Sequence, residues 1–146
     1  MKKIAVGLSG GVDSCTAAYL LREQGYEVMG ITLRLKQGSL ADADIADARR
    51  IAEALGIELE VLDLREFFKE KIIEPFVGEY LAARTPNPCI ECNGIIKFGA
   101  MLNYAVSKGC NALATGHYAK IEQSGGRFLL KKADSVKDQS YFPYRL

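Results

Sequence analysis

The stretch Ile4-Ala5-Val6-Gly7-Leu8-Ser9-Gly10-Gly11-Val12-Asp13-Ser14 decides how the rest of the chain is read. Its first five residues form a short apolar run, as expected of a strand covered on both faces. From Ser14 to Gln24 the apolar residues recur at helical spacing, and Gly25 follows as a C-terminal stop. Between them lies Ser9-Gly10-Gly11-Val12-Asp13-Ser14. Glycine backbone turns tightly and approaches a ligand without a Cβ in the way. Ser9 and Ser14 add hydroxyl donors, and the start of the helix adds unpaired N–H groups and a positive dipole end. The product is a cradle for a polyanion. Asp13 carries the wrong charge to hold phosphate itself, which leaves it two roles: capping the helix or holding a Mg²⁺ ion that bridges phosphates. No Walker-type G-x-x-x-x-G-K-[ST] occurs.

Outward from this loop, strand and helix alternate. Tyr26 to Leu35 reads as a second strand, Leu40 to Leu55 as an amphipathic helix ended by Gly56, and Ile57 to Leu64 as a third strand. Glu66 to Ala83 is helical in pattern with a kink or split expected at Pro75. Pro86 and Pro88 place Arg84 to Asn93 outside any helix, Ile95 to Lys108 resumes one, and Asn111 to Thr115 is a fourth buried strand. Ser124-Gly125-Gly126 marks a hairpin between Ala119–Glu122 and Phe128–Lys132. The alternation predicts an α/β fold, an open parallel sheet with helices on both faces.

At 146 residues with a net charge of +1, the chain is of single-domain size and offers no global attraction to nucleic acid. No apolar run is long enough to span a bilayer, and the N-terminus lacks a signal-peptide pattern. The expectation is a cytoplasmic protein with no membrane partner. The aromatic close, Ser140-Tyr141-Phe142-Pro143-Tyr144-Arg145-Leu146, predicts a truncated chain or a divided gene, because nothing follows for those rings to pack against.

Three further segments carry chemistry. Thr85-Pro86-Asn87-Pro88-Cys89-Ile90-Glu91-Cys92-Asn93 holds a C-x-x-C pair beside a helix start, where a dipole would favour thiolate. The pair suits an iron–sulfur or zinc site, a redox couple, or a sulfur-carrying nucleophile with a neighbour. Cys15 and Cys110 stand apart, and both are expected in the core. Ala114-Thr115-Gly116-His117-Tyr118 lies at the carboxyl end of a predicted strand, the edge where open α/β sheets bind ligands, and His117 is the single histidine. Lys137-Asp138-Gln139-Ser140-Tyr141-Phe142, taken by itself, is a solvated turn followed by aromatics.

The Ser9–Ser14 loop resembles the PP-loop of the ATP pyrophosphatases, which cleave ATP between its α and β phosphates. In combination with T-P-N-P-x-x-x-C-N-x-x-I-K-F, A-T-G-H-Y and K-D-Q-S-Y-F, the chain resembles the tRNA-specific 2-thiouridylases from Lys3 to Arg145. These enzymes replace the C2 oxygen of the wobble uridine with sulfur. The resemblance implies a PP-loop catalytic domain over 1–146 with an adenine nucleotide α-hydrolase-like, Rossmann-like sheet. It implies that ATP and Mg²⁺ are bound by Gly7, Leu8, Ser9, Gly10, Gly11, Val12, Asp13 and Ser14, with Leu33 and Gly116 against the nucleotide. Cys92 matches the family's nucleophile. Asn87, Pro88 and Cys89 occupy the stretch facing the target base, and His117, Lys137, Asp138 and Gln139 match positions that touch tRNA. Asp13, Cys89 and Cys92 are the candidate catalytic residues.

Two departures stand out. The family commonly has Asp at the position of Cys89, and its second catalytic cysteine falls beyond residue 146, with the tRNA-gripping domains. Cys89 brings the loop closer to thiolases that hold a [4Fe–4S] cluster, which makes Cys89 and Cys92 candidate metal ligands. Sulfur would then come from a donor protein as persulfide, or as cluster-bound sulfide. The rival readings are another sulfur-inserting PP-loop enzyme and a nucleotide- or iron–sulfur-binding module inactive without further domains.

Overall fold

The computed structural model describes residues 1–142. Its centre is a sheet of four parallel strands, β1 (Lys3–Gly7), β2 (Glu27–Arg34), β3 (Glu58–Asp63) and β4 (Ala112–Ala114), in the order β3-β2-β1-β4. Four helices connect or flank them: α1 (Val12–Glu23), α2 (Ser39–Leu55), α3 (65–81) and α4 (88–107). The hairpin β5 (Lys120–Ser124) and β6 (Arg127–Lys131) turns at Gly125-Gly126, as the sequence signal predicts. Of the aromatic close, 143–146 lie outside the described residues.

Strand parity explains the two layers. Successive residues of a strand face opposite sides, so β1 sends Ala5 one way and Val6 the other. Ala5, Met29 and Ile31 pack with Met101, Ala105 and Cys110 on the α4 side. Val6, Leu8 and Val28 pack with Ala18 of α1 and with Ala48 and Ala52 of α2 on the opposite side. A strand buried on both faces is apolar at most positions, which is why β1 and β2 read as nearly continuous runs, with Thr32 the buried polar residue of β2. Cys110 is core, as expected, whereas Cys15 is only half buried.

Two local expectations are corrected. Pro75 does not split its helix. Instead Lys69–Ile73 runs as a π-helical stretch just ahead of it, and α-helical geometry resumes over Glu74–Leu81. Proline has no N–H for the carbonyl one turn earlier, and a wider turn absorbs that defect. The second correction concerns Pro88, which begins a helix rather than excluding one. It occupies the first turn of α4, where its missing N–H would have had no partner. Cys89 and Cys92 are therefore helical residues three apart, on one face, not loop residues. The helix then widens into a π-helical stretch over Asn93–Met101.

Candidate active site

The strand order places a topological switch between β1 and β4, since the helix that follows β1 and the helix that precedes β4 pack on opposite faces of the sheet. The phosphate loop follows β1, and Thr115-Gly116-His117 follows β4. A cavity of about 240 Å³ opens between them, lined by Gly7, Ser9, Asp13, Ser14, Leu33, Lys97, Thr115, Gly116, His117 and Gln139, with Ile31 and Met101 beneath.

The loop is held by its own hydroxyls. Ser14 Oγ donates to the carbonyl of Gly11 at 3.0 Å and accepts from the amide of Ser9 at 3.2 Å. Ser9 Oγ lies 3.2 Å from Ser14 Oγ and accepts from the amide of Gly11 at 3.4 Å. Gly10 turns through φ 81°, and a Cβ there would stand 2.9 Å from Cβ of Asp47 in α2. Only glycine lets the loop bend left-handed and lie flat on α2. The N-cap of α1 is Gly11 without a side-chain cap, so Asp13 does not cap the helix. Its carboxylate accepts a 2.9 Å hydrogen bond from the phenol of Tyr118.

The opposite wall is pressed against this loop. A Cβ on Gly116 would lie 2.8 Å from the carbonyl carbon of Asp13 and from the amide nitrogen of Ser14. Backbone cannot give way as a side chain can, so this residue has to be glycine. Beside it, Nδ1 of His117 is 2.6 Å from Thr115 Oγ1 and Nε2 is 3.3 Å from Nζ of Lys97. An ammonium only donates, so Nε2 accepts, and Nδ1 carries the proton toward Thr115. Burial, then the Lys97 charge, hold His117 below the usual histidine range, and burial pushes Lys97 down as well. Lys97 carries no role in the sequence reading, although it stands in the I-K-F segment. Its relation to His117 is a contact across 20 residues that no local pattern displays.

The cysteines sit nearby without lining the cavity. Cys89 is exposed and Cys92 half buried. Burial raises the Cys92 thiol above its usual range, Lys97 pulls it down, and Cys89 pushes it up again. This corrects the expected dipole-favoured thiolate: Cys92 lies past the first helical turn, where the dipole has faded and desolvation wins. Asn93 is buried, donates to the carbonyl of Cys89 at 2.8 Å, and leaves its Oδ1 without a partner among the described residues.

Of the proposed nucleotide contacts, Gly7, Ser9, Asp13, Ser14, Leu33 and Gly116 line the cavity. Leu8 is buried in the core and Val12 points to solvent, so these two, with Gly10 and Gly11, can offer only backbone. Gln139 reaches the cavity through reciprocal bonds with Tyr118, its Oε1 accepting from the Tyr118 amide at 3.0 Å and its own amide donating to the Tyr118 carbonyl at 2.7 Å. Asp138 turns inward, accepting from the Ala133 amide and the Ser140 hydroxyl, which hold it below the usual carboxylate range. Lys137 lies with its Nζ 5.8 Å from the centre of the Tyr118 ring. Asn87 and Pro88 line a separate cavity of about 500 Å³ between α3 and the start of α4.

The sequence profile of the tRNA methyl transferase HUP domain matches residues 2–146. The chain belongs to this family. A tRNA-specific 2-thiouridylase MnmA of Clostridioides difficile (strain 630) is 50% identical over 99% of the chain, which covers 44% of that relative. The tRNA-specific 2-thiouridylase MnmA 1 of Clostridium botulinum (strain Langeland / NCTC 10281 / Type F) is 47% identical, with the same coverage of 99% and 44%. The chain thus spans less than half the length of these curated relatives. Among solved structures, the U34-tRNA thiolase NcsA from Methanococcus maripaludis with its [4Fe-4S] cluster superimposes with TM-score 0.60 at 26% identity, over 80% of this chain and 38% of that one. The NH3-dependent NAD synthetase from Campylobacter jejuni shares the fold, with TM-score 0.57 at 19% identity over 80% of this chain and 47% of that one. The architecture is the PP-loop, adenine nucleotide α-hydrolase-like fold that the sequence predicts.

The site's fit to candidate ligands divides. The cradle, the glycine contact at Gly116 and the Asp13 carboxylate suit a nucleotide polyphosphate with Mg²⁺. For an iron–sulfur cluster, Cys89 and Cys92 supply two thiols. Among the described residues, no group of three or more metal-binding side chains stands together. No described helix is long and apolar enough to cross a membrane.

Proposed function

We propose that residues 1–146 are the PP-loop catalytic unit of a tRNA-uridine 2-sulfurtransferase. The observation that carries this reading is the cavity at the β1/β4 switch, with the phosphate loop on one wall and Lys97 and His117 on the other, beside the Cys89/Cys92 helix. The near-full-length match to 2-thiouridylases supports it.

In this reading ATP seats its phosphates on Ser9–Ser14, with Asp13 holding Mg²⁺ and Leu33 and Gly116 against the nucleotide. The wobble uridine C2 oxygen attacks the α-phosphorus, the bond to the bridging oxygen breaks, and pyrophosphate leaves. Adenylation is needed because an amide-like oxygen is a poor leaving group and AMP a good one. A persulfide on Cys92 attacks C2 and expels AMP. A second thiol then attacks Cys92 Sγ, breaking the sulfur–sulfur bond so that the outer sulfur stays on the base and the two cysteines are left as a disulfide. Asn87, Pro88, His117, Lys137, Asp138 and Gln139 are the proposed RNA contacts.

A second sulfur route is favoured by one specific observation. Cys89 and Cys92 share a helical face, and the related archaeal thiolase carries a [4Fe-4S] cluster. In that route the pair would be cluster ligands, completed by a thiol from elsewhere, with the sulfide bound to the cluster. A persulfide-bearing donor protein is the sulfur source for the Cys92 route, and sulfide for the cluster route.

The test joins the chain to the downstream portion of its relatives and supplies unmodified tRNA, ATP, Mg²⁺ and, in parallel reactions, sulfide or a persulfide-bearing donor protein. The expected products are AMP, pyrophosphate and 2-thiouridine, the last identified by nucleoside mass spectrometry. ATP turnover indifferent to tRNA, with no thiolated nucleoside, would overturn the proposal.

A further inference from the structure

Among the described residues, Lys97 is a half-buried cation that contacts an imidazole and no carboxylate. It is half buried, and its ammonium is held by the neutral imidazole of His117 at 3.3 Å. No carboxylate pairs with it among the described residues, whereas Lys108, Arg65 and Arg84 each have a carboxylate within 2.7 Å. A desolvated cation without a counter-charge is costly unless an anion completes the site. An ammonium has three donors, and the imidazole nitrogen takes one.

The surroundings say which anion. Lys97 lines the cavity whose facing wall is the phosphate loop, with the Ser9 and Ser14 hydroxyls and the start of α1. The imidazole is braced from behind by Thr115 at 2.6 Å. This prop holds the ammonium without neutralising it, which a carboxylate in the same place would do.

We propose that Lys97 is the cation of a second phosphate subsite, facing the Ser9–Ser14 loop, so that the nucleotide's phosphate chain is gripped from both walls. The inference rests on the nucleotide reading given above and adds a binding residue to it. Thr115 and His117 act as positioning residues for the ammonium. The loop contributes backbone N–H groups and hydroxyls, and Lys97 contributes the full positive charge that the loop lacks.

The experiment compares wild type, Lys97→Met, Lys97→Arg and the loop variant Gly11→Val by calorimetry with ATP, adenosine and unmodified tRNA, in Mg²⁺ at low salt. Lys97→Met should weaken ATP by about tenfold or more, as loss of one charge-assisted contact does, and leave adenosine unchanged. Lys97→Arg should recover most of the affinity. Unchanged ATP affinity in Lys97→Met, with binding lost in Gly11→Val, would overturn this subsite while leaving the nucleotide reading intact. Unchanged ATP affinity in both variants would overturn both. Weakened tRNA binding with ATP affinity unchanged would assign the cation to an RNA phosphate, against the proposal. Should Lys97→Met fail to fold, ¹³C-methylated lysines of the wild type, assigned with Lys97→Arg, decide the question. The Lys97 resonance should shift with ATP and not with adenosine, and a resonance unmoved by ATP would overturn the proposal.

Discussion

The phenol of Tyr118 donates a 2.9 Å hydrogen bond to the carboxylate of Asp13, tying the segment after β4 to the first turn of α1 across 105 residues. The bond raises the Tyr118 phenol above its usual range, because ionising it would set two anions side by side. In an ultraviolet titration the Tyr118 phenol should ionise above its usual range, and Asp13→Asn should lower it. Such a raised group stabilises the fold below the unfolded tyrosine pKa, and the contribution is lost as pH rises through the folded value. Tyrosines that titrate alike in both proteins would contradict the contact.

Gly116→Ala tests the closeness of the two walls. The new methyl would meet the backbone of Asp13 and Ser14 at 2.8 Å. Overpacking of this kind costs about 1–3 kcal/mol. Thermal melting should register the loss, and ATP affinity should fall with it because the loop is displaced. A variant with parental melting temperature and affinity would show that the walls separate freely.

His117 should be neutral at pH 7. Burial and Lys97 both depress its pKa, so ring resonances in an NMR titration should move only well below the usual midpoint of about 6.5. Lys97→Met should shift that midpoint upward. Because the folded value is depressed, His117 supports the fold above pH ~6.5 and the support fades as pH falls through the folded midpoint. An unshifted midpoint in Lys97→Met would remove the proposed coupling.

Cys89 and Cys92 should differ in alkylation. At neutral pH iodoacetamide should modify exposed Cys89 first, and the Cys92 rate should rise only in the alkaline range, since burial raises its thiol. Lys97→Met removes the cation that lowers it and should slow Cys92 further. Peptide mass spectrometry after timed quenching reads both rates; equal rates would contradict the burial argument.

What the sequence displayed was what is local. Ser9 to Ser14 acts through neighbours within five residues, and the apolar runs of β1 and β2 report burial on both faces directly. Pro88 was misleading because proline both ends helices and begins them, and only the tertiary setting decides which. The raised Cys92 thiol has a related cause: position relative to a helix start is visible in sequence, and desolvation is not. The Tyr118–Asp13 and Lys97–His117 contacts join segments through the sheet, so neither residue type nor spacing announces them.

The brevity of β4 has a kinetic consequence. Its three residues pair with β1 at the sheet's edge, across a chain separation of about a hundred residues, fastened at Asn111 by a 3.0 Å bond from the Lys3 amide and a 2.7 Å bond back to its carbonyl. Closing so large a loop is entropically costly, so the two walls are expected to meet after β1, β2 and β3 have condensed. Few ladder bonds hold that last strand, so its amides should exchange with solvent sooner than those of Ile31 or Met29, through openings that leave the other three strands intact. The cavity between the two walls would thus be the last part of the described fold to form and the first to come undone.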